Sequence, residues 1–373
     1  MIFSAPVAEL SRDWPRVSEM QQLLSPPTTA IDWEDVGFGI KPTNGHVQCR
    51  WREGAWSMPE FVTNPMLNVH GLAPGLNYGQ QCFEGLKAFR AENGEISIFR
   101  PGRNAKRMAY SAGYVSMPEV PEDLFLSCCR VAVAKNAEFV PPYQADASLY
   151  VRPLLFGSGA MLGLSPSPEY MFCVYVLPVG AYHGVQPVDA LVLEDFDRSA
   201  PHGSGGYKVG GNYSPCYRHT ASAVQQGFGI TLHLDALTHT FVDEFSTSGF
   251  VGIRYTNGQT HTMVVPQSPN IIESVTTATI MQIAKDLGWT VEHRPVPWEE
   301  VSTFSEVIAA GTAALLLPIK SITRGGEKLL LGGHEPGPAV LKLTGMCKEY
   351  QMGALPDIHG WRELVTPADE ARL

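Results

Sequence analysis

The residues best suited to chemistry lie in GSGGYKVGGNYSP, Gly203 to Pro215, where Gly203, Gly205, Gly206, Gly210 and Gly211 frame a single lysine, Lys208. Glycines at this density let a backbone fold tightly around a side chain or a ligand. Lysines held out of water in such settings serve as nucleophiles or Schiff-base partners. The loop is not a phosphate loop of the Walker type: Tyr207 precedes the lysine and Val209 follows it, where that motif needs Gly and then Ser or Thr. On composition alone the segment reads equally as a flexible surface loop with an ordinary lysine. Cys128 and Cys129 are adjacent in an apolar helical run with no His or Cys nearby, so they read as packing, and no metal site is expected.

Composition narrows the setting. With 27 basic and 37 acidic residues the formal net charge is −10, and no basic run exists to track a phosphate backbone, so nucleic acid is not an expected partner. At 44% hydrophobic and 17% charged residues, the chain is globular and not disordered. The odd count of 7 cysteines leaves at least one unpaired, which suits a reducing compartment. The first residues lack a secretory apolar core, and Glu9 and Asp13 weigh against a mitochondrial presequence, so the cytosol is the expected location. The apolar run Met171 to Leu177 stops at Pro178, too short to span a bilayer, and no membrane segment is expected.

The elements that must position Lys208 read as α+β. Glu95 to Phe99 alternates like a strand, RNAKRMAYSAGY follows as a helix, and Pro121 to Phe139 is a second helix opened by proline and acids. ASLYVRPLLF and MFCVYVL are β-rich runs on either side of a Gly/Ser/Pro stretch. Beyond them, a helix near Tyr213 to Gln226 and short strands at ITLHL, HTFVDEF, GFVGIRY and HTMVV lack regular βα alternation, which argues against a doubly wound sheet. Helices resume at IIESVTTATIMQIAKDLG and AVLKLTGMCKEYQ. These signals predict two domains: a smaller N-terminal one over 1–160, an interdomain loop over 161–169, and a larger C-terminal one over 170–373.

The runs YGQQCFEGLKAFR, FRPGRNAKRM, SLYVRPLLFG, LPVGAY, YKVGGNY, VDEFSTS and AAGTAALLLP together resemble the branched-chain amino acid aminotransferases, in order and spacing, over residues 30 to 350. This resemblance implies fold type IV, a cofactor-binding C-terminal domain, and pyridoxal 5′-phosphate bound covalently to Lys208. It implies that Tyr213 meets the cofactor's phenolic oxygen, that Glu244 faces the pyridine nitrogen, and that Thr247 lies beside the cofactor. Arg107 would pair with the phosphate, together with Val275 and Thr276 at a helix start and with Thr312. The backbone of Thr312 and Ala313 would hold the substrate carboxylate. Tyr78, Phe83, Tyr150, Arg152 and Tyr182 would line the substrate cavity, with Arg152 taking the side-chain carboxylate of glutamate. Leu162 and Leu164 would reach the site of a neighbouring subunit, implying a homodimer.

Departures from the family pattern cluster near the cofactor. Gly249 stands where the family has Asn, and Ile272, Glu273, Ser274, Val275, Thr276 and Thr277 replace a segment with Pro and Arg. Glu273 would bring negative charge near a phosphate unless it pairs or points away. The expected activity is transamination between an aliphatic L-amino acid and 2-oxoglutarate or another 2-oxo acid. A tailoring enzyme acting on a longer or modified aliphatic 2-oxo acid in fungal specialised metabolism is the alternative, and a non-catalytic, cofactor-binding interaction protein is the alternative of another class.

Overall fold

The computed structural model describes residues 23–180, 186–256 and 260–372. Its strands form two nine-stranded sheets. In the first, Ala147–Gly157 and Tyr170–Gly180 pair antiparallel along their whole length. His46–Arg52 flanks them on one side and Leu86–Arg90 and Ile96–Phe99 on the other. Strand alternation sorts the residues of Ala147–Gly157 into two sets. Leu149, Val151 and Leu155 are buried in one core with Met108 and Phe125 of the helices Pro101–Tyr114 and Glu122–Ala134, while Tyr150 and Arg152 face the other way. Pro101 opens the first helix, where its missing N–H costs nothing, and Glu122 and Asp123 favour the positive N-terminal end of the second.

The second sheet closes on itself. Val188–Val192, Ile230–Leu234, Val242–Phe245, Ser248–Thr256, Glu306–Gly311 and Leu315–Arg324 form a ring, because Val242–Phe245 pairs with both Ile230–Leu234 and Ser248–Thr256. Closure removes the open edges of these strands, and Leu232, Phe245 and Phe250 fill a shared core. Helices Val275–Asp286 and Pro338–Gln351 pack through Ile280, Ile283 and Leu343. Glu306 anchors the second of these by accepting from the Ala339 and Val340 amides at 2.9 and 3.0 Å, two donors that the helix cannot satisfy itself. No helix among the described residues is long and apolar enough to cross a membrane.

The α+β reading and the main helices fall where the sequence places them; the domain boundary is drawn differently by the sheets. Residues 161–169, read from composition as an interdomain loop, join two neighbouring strands of the first sheet. Gly, Ser and Pro mark any irregular connection, whichever elements it joins. Sheet membership favours a division between Gly180 and Val188, with Arg362–Val365 returning to the first sheet beside Ile96–Phe99.

Two of the sequence departures prove to be one packing feature. Gly249 sits opposite Glu244 in the sheet, and a β-carbon there would lie 2.7 Å from Oγ1 of Thr277. That hydroxyl is buried and has no hydrogen-bond partner. Gly249→Ala should therefore destabilise the fold by about 1–3 kcal/mol, the range for overpacking a filled site. In a Thr277→Ala background most of that cost should disappear. Urea unfolding of both single variants and the double variant measures the coupling, and equal costs in the two backgrounds would show that the positions do not share one space.

Candidate active site

Lys208 is held at its backbone from three directions. Its N–H donates to Ser111 Oγ at 2.9 Å, its carbonyl accepts from the Phe83 amide at 3.1 Å, and Val209 bridges to Cys82. Asn212 ties the loop together, its Nδ2 donating to the carbonyls of Ser204 and Tyr207 at 2.7 and 2.8 Å. Glycine is required at Gly205 by close approach, since a β-carbon there would lie 2.1 Å from the Asn270 carbonyl oxygen; one at Gly210 would displace only the end of the Gln81 side chain, 2.0 Å away at Nε2. The side chain is aimed as well. Lys208 Nζ donates to the Tyr213 hydroxyl at 3.0 Å and lies 4.8 Å from the centre of the Phe83 ring, a cation–π distance.

Glu244 is 2% exposed and lies 2.6 Å from Nη1 of Arg198, itself buried. The contact is an ion pair without hydrogen-bond alignment, since Glu244 Oε1 and Arg198 Nε have no hydrogen-bond partner. Burial pushes the Glu244 carboxyl up to about 7 although Arg198 pulls it down. A carboxyl so poised, with a free acceptor, suits a basic ring nitrogen.

On the opposite side, Arg107 forms a two-pronged pair with buried Glu84: Nε to Oε1 and Nη2 to Oε2, both 2.7 Å. Its Nη1 donates to the Glu273 carbonyl at 2.8 Å, so three of the five guanidinium donors are used and two remain for an anion. Asn104 Nδ2 donates to Glu84 at 2.7 Å. Burial alone would raise the Glu84 carboxyl, but Arg107 outweighs it and holds it below the usual carboxylate range. Val275 and Thr276 open a helix capped by Ser274, whose Oγ accepts from the Thr277 amide at 3.1 Å. The first amides of a helix lack internal acceptors and attract phosphate. Val275, Thr276 and Thr312 line one small cavity, and Val275 shares another with Arg107.

The charge expected near this anion site is paired, although it lines the same cavity as Arg107 and Val275. Glu273 pairs with Arg103, and both side chains are well exposed. A cavity of about 470 Å³ is lined by Glu244, Gly249, Ser274 and Thr277 among others.

The turn Thr312 to Ala314 joins Glu306–Gly311 to Leu315–Arg324, and Lys87 Nζ donates to the Ala313 carbonyl at 3.0 Å. The exposed turn at Thr247 meets the same place, since a β-carbon on Gly311 would lie 3.3 Å from the Thr247 carbonyl oxygen. Arg152 lies 5.1 Å from the Phe83 ring centre and 5.2 Å from that of Tyr150, so Arg152 and Lys208 share one aromatic surface. Tyr78 is 49% exposed and donates to the Leu162 carbonyl at 2.6 Å; Leu162 and Leu164 are themselves exposed. Tyr182 lies outside the described residues. Among the described residues no cluster of His, Cys, Asp and Glu could hold a metal ion.

Sequence reasoning missed Arg198, Glu84 and Lys87. Arg198 had only its nearness to the glycine loop as a signal. Glu84 and Lys87 both stood inside the EGLKAF run, but Glu84 pairs with Arg107 23 residues on and Lys87 with Ala313 226 residues on.

Comparisons with known proteins agree with this geometry. The sequence model of the amino-transferase class IV family matches residues 81–322. Aminotransferase atnJ of Emericella nidulans is 51% identical over 330 residues, covering 86% of this chain and 95% of that protein. Branched-chain amino acid aminotransferase gloG of Glarea lozoyensis is 47% identical over 350 residues, 91% of this chain and 98% of that one. Among solved structures, the branched-chain amino acid aminotransferase of Escherichia coli superposes with a TM-score of 0.71 at 25% identity, over 82% of this chain and 97% of that chain. A T.th. branched-chain amino acid aminotransferase complexed with N-(5′-phosphopyridoxyl)-L-glutamate gives 0.70 at 27%, over 85% and 98%. A phosphorylated pyridine aldehyde fits the groups described above: an aimed amine, a buried carboxylate that is ion-paired but not hydrogen-bonded at Oε1, and two spare guanidinium donors beside a helix start. The chain belongs to the class IV aminotransferases and is a pyridoxal 5′-phosphate-dependent aminotransferase of fold type IV.

Proposed function

We propose that this aminotransferase moves the amino group of an aliphatic, branched-chain-like L-amino acid to 2-oxoglutarate or another 2-oxo acid, in a homodimer. The observation that carries the substrate reading is Arg152 standing on Phe83 beside Tyr150, on the ring that also contacts Lys208. A guanidinium there receives the second carboxylate of a dicarboxylic donor, and the aromatic faces receive an aliphatic chain. Two similar proteins support it by what they are named for or hold: gloG is named a branched-chain amino acid aminotransferase, and the T.th. enzyme was solved with a phosphopyridoxyl-glutamate.

In this reading pyridoxal 5′-phosphate, when bound, supplies the carbonyl that takes the amino group and a ring that absorbs carbanion charge. Arg107 and the amides of Val275 and Thr276 hold its phosphate, with the Thr312 hydroxyl beside them. Glu244 holds a proton at the ring nitrogen, and Tyr213 holds the phenolic oxygen. The amides of Thr312 and Ala313 hold the substrate carboxylate, with Thr247 at the mouth. Lys208 Nζ is first the point of covalent attachment and, once freed, the base that moves the substrate's Cα proton. Phe83 and Tyr150 keep water from the reacting atoms, and Tyr78 extends the wall.

Exposed Leu162 and Leu164, with Tyr78 bound to the same loop, support a dimer in which this loop covers the neighbouring site. All seven cysteines are free and buried, which supports a reducing, cytosolic setting.

Borohydride reduction of the holoenzyme should leave the cofactor adduct on Lys208 in peptide mass spectra; an adduct on another lysine removes the assignment. Lys208→Ala should lower turnover by at least roughly 10²- to 10⁴-fold, the worth of a general base alone. Arg152→Met should weaken kcat/KM for glutamate and 2-oxoglutarate by about 1 to 2 kcal/mol, less than a fully desolvated pair gives because Arg152 is exposed. Leucine-like substrates should change little. If both classes fall together, Arg152 is structural. If neither falls, the donor is not glutamate, and a longer or modified aliphatic 2-oxo acid with a different donor becomes the better reading.

A further inference from the structure

The helix Pro101–Tyr114 turns one face toward the site and touches both of its ends. Asn104 steadies Glu84, which steadies Arg107 at the anion site. One to two turns further on, Ser111 accepts the Lys208 amide. Tyr110 and Tyr114, one helical turn apart, both stack on Tyr207, the residue before the lysine. The ring centres are 4.6 and 3.9 Å apart with interplanar angles of 24° and 18°, and the Tyr110 and Tyr207 hydroxyls are 3.2 Å apart.

Core burial does not account for this stack, since Tyr110 is 60% and Tyr114 42% exposed. What needs it is the loop. Glycines on both sides of Lys208 leave a backbone with more freedom to lose than any other sequence would have. A cofactor held both by its phosphate and by the lysine would tolerate little drift between the two anchors.

We propose that Tyr110, Tyr114 and Ser111 are positioning residues for Lys208: through Tyr207 and the lysine's own amide they set the attachment point against Arg107 on a single helical ruler. This rests on the reading of Lys208 as the covalent attachment point. The helix spacing then fixes the distance from amine to phosphate, and the glycines supply only the tight path between.

The test uses apoprotein titrated separately with pyridoxal phosphate and with pyridoxamine phosphate. The second ligand has an amine where the first has an aldehyde, so it reports the phosphate and ring contacts without any bond to Lys208. Tyr207→Leu, which loses both aromatic pairs, should weaken pyridoxal phosphate roughly tenfold or more and leave pyridoxamine phosphate within about twofold. Tyr207→Phe, which keeps the stack and loses only the hydroxyl contact, should behave like the wild type. Should Tyr207→Leu fail to fold, Tyr110→Leu with Tyr114→Leu makes the same test from the exposed side without opening the core. Equal loss of both ligands would make the helix a general support and overturn the proposal, as would no loss of either. Borohydride mapping on the wild type separates this from the underlying reading: an adduct away from Lys208 removes that reading whatever the tyrosine variants do.

Discussion

The pair between Glu84 and Arg107 is the constraint on which the site depends. It joins the first sheet's short strand segments to the helix Pro101–Tyr114, and both partners are almost fully buried, with side chains 0% and 9% exposed. Taking two charges out of water costs several kcal/mol each, so such a pair is weak evidence for stability and strong evidence for geometry. Its parallel hydrogen bonds fix the plane of the guanidinium, and that plane decides where the unused donors point. The Glu273 carbonyl then draws the start of the helix Val275–Asp286 against the same arginine, so one side chain registers the two sheets' helices to each other.

Glu84 and Glu244 are equally hidden yet held in opposite states. Both oxygens of Glu84 accept from Arg107, and Asn104 adds a third donor, so its charge is satisfied and its proton is lost readily. Glu244 has a guanidinium beside it without aligned donors, and burial wins. The number and alignment of hydrogen bonds, not the depth of burial, separates a permanent anchor from a group that shares a proton.

Much of this was legible in the sequence, because the chemistry demands residue types that are rare in combination. Taken alone, a lysine inside glycines reads as readily as a surface loop; Lys208, Tyr213 and Glu244 stand out through the family-like runs YKVGGNY and VDEFSTS that carry them. Support residues do not. Arg198 looks like any surface arginine until the chain folds it onto Glu244, and Lys87 meets Ala313 across 226 positions. Glu273 was legible as a charge but not as half of a pair with Arg103, since that pairing needs a helix from each half of the molecule side by side. Residues 161–169 show a related limit: composition reports that a segment is irregular, and only strand pairing reports what it connects.

The strand Arg362–Val365 closes the first sheet along Ile96–Phe99. On the ribosome this edge stays unpaired until Arg362–Val365, made after every other described strand, has emerged. The second sheet's ring of strands is complete by Arg324, so it can close while the first still waits. During that interval the backbone of Ile96–Phe99 presents unpaired donors and acceptors, the kind of edge that recruits other chains. Pairing between strands so far apart in the chain is slow to find. Completion of the first sheet is therefore a docking event that can follow closure of the second, and Arg362–Val365 decides when the edge beside Ile96–Phe99 is covered.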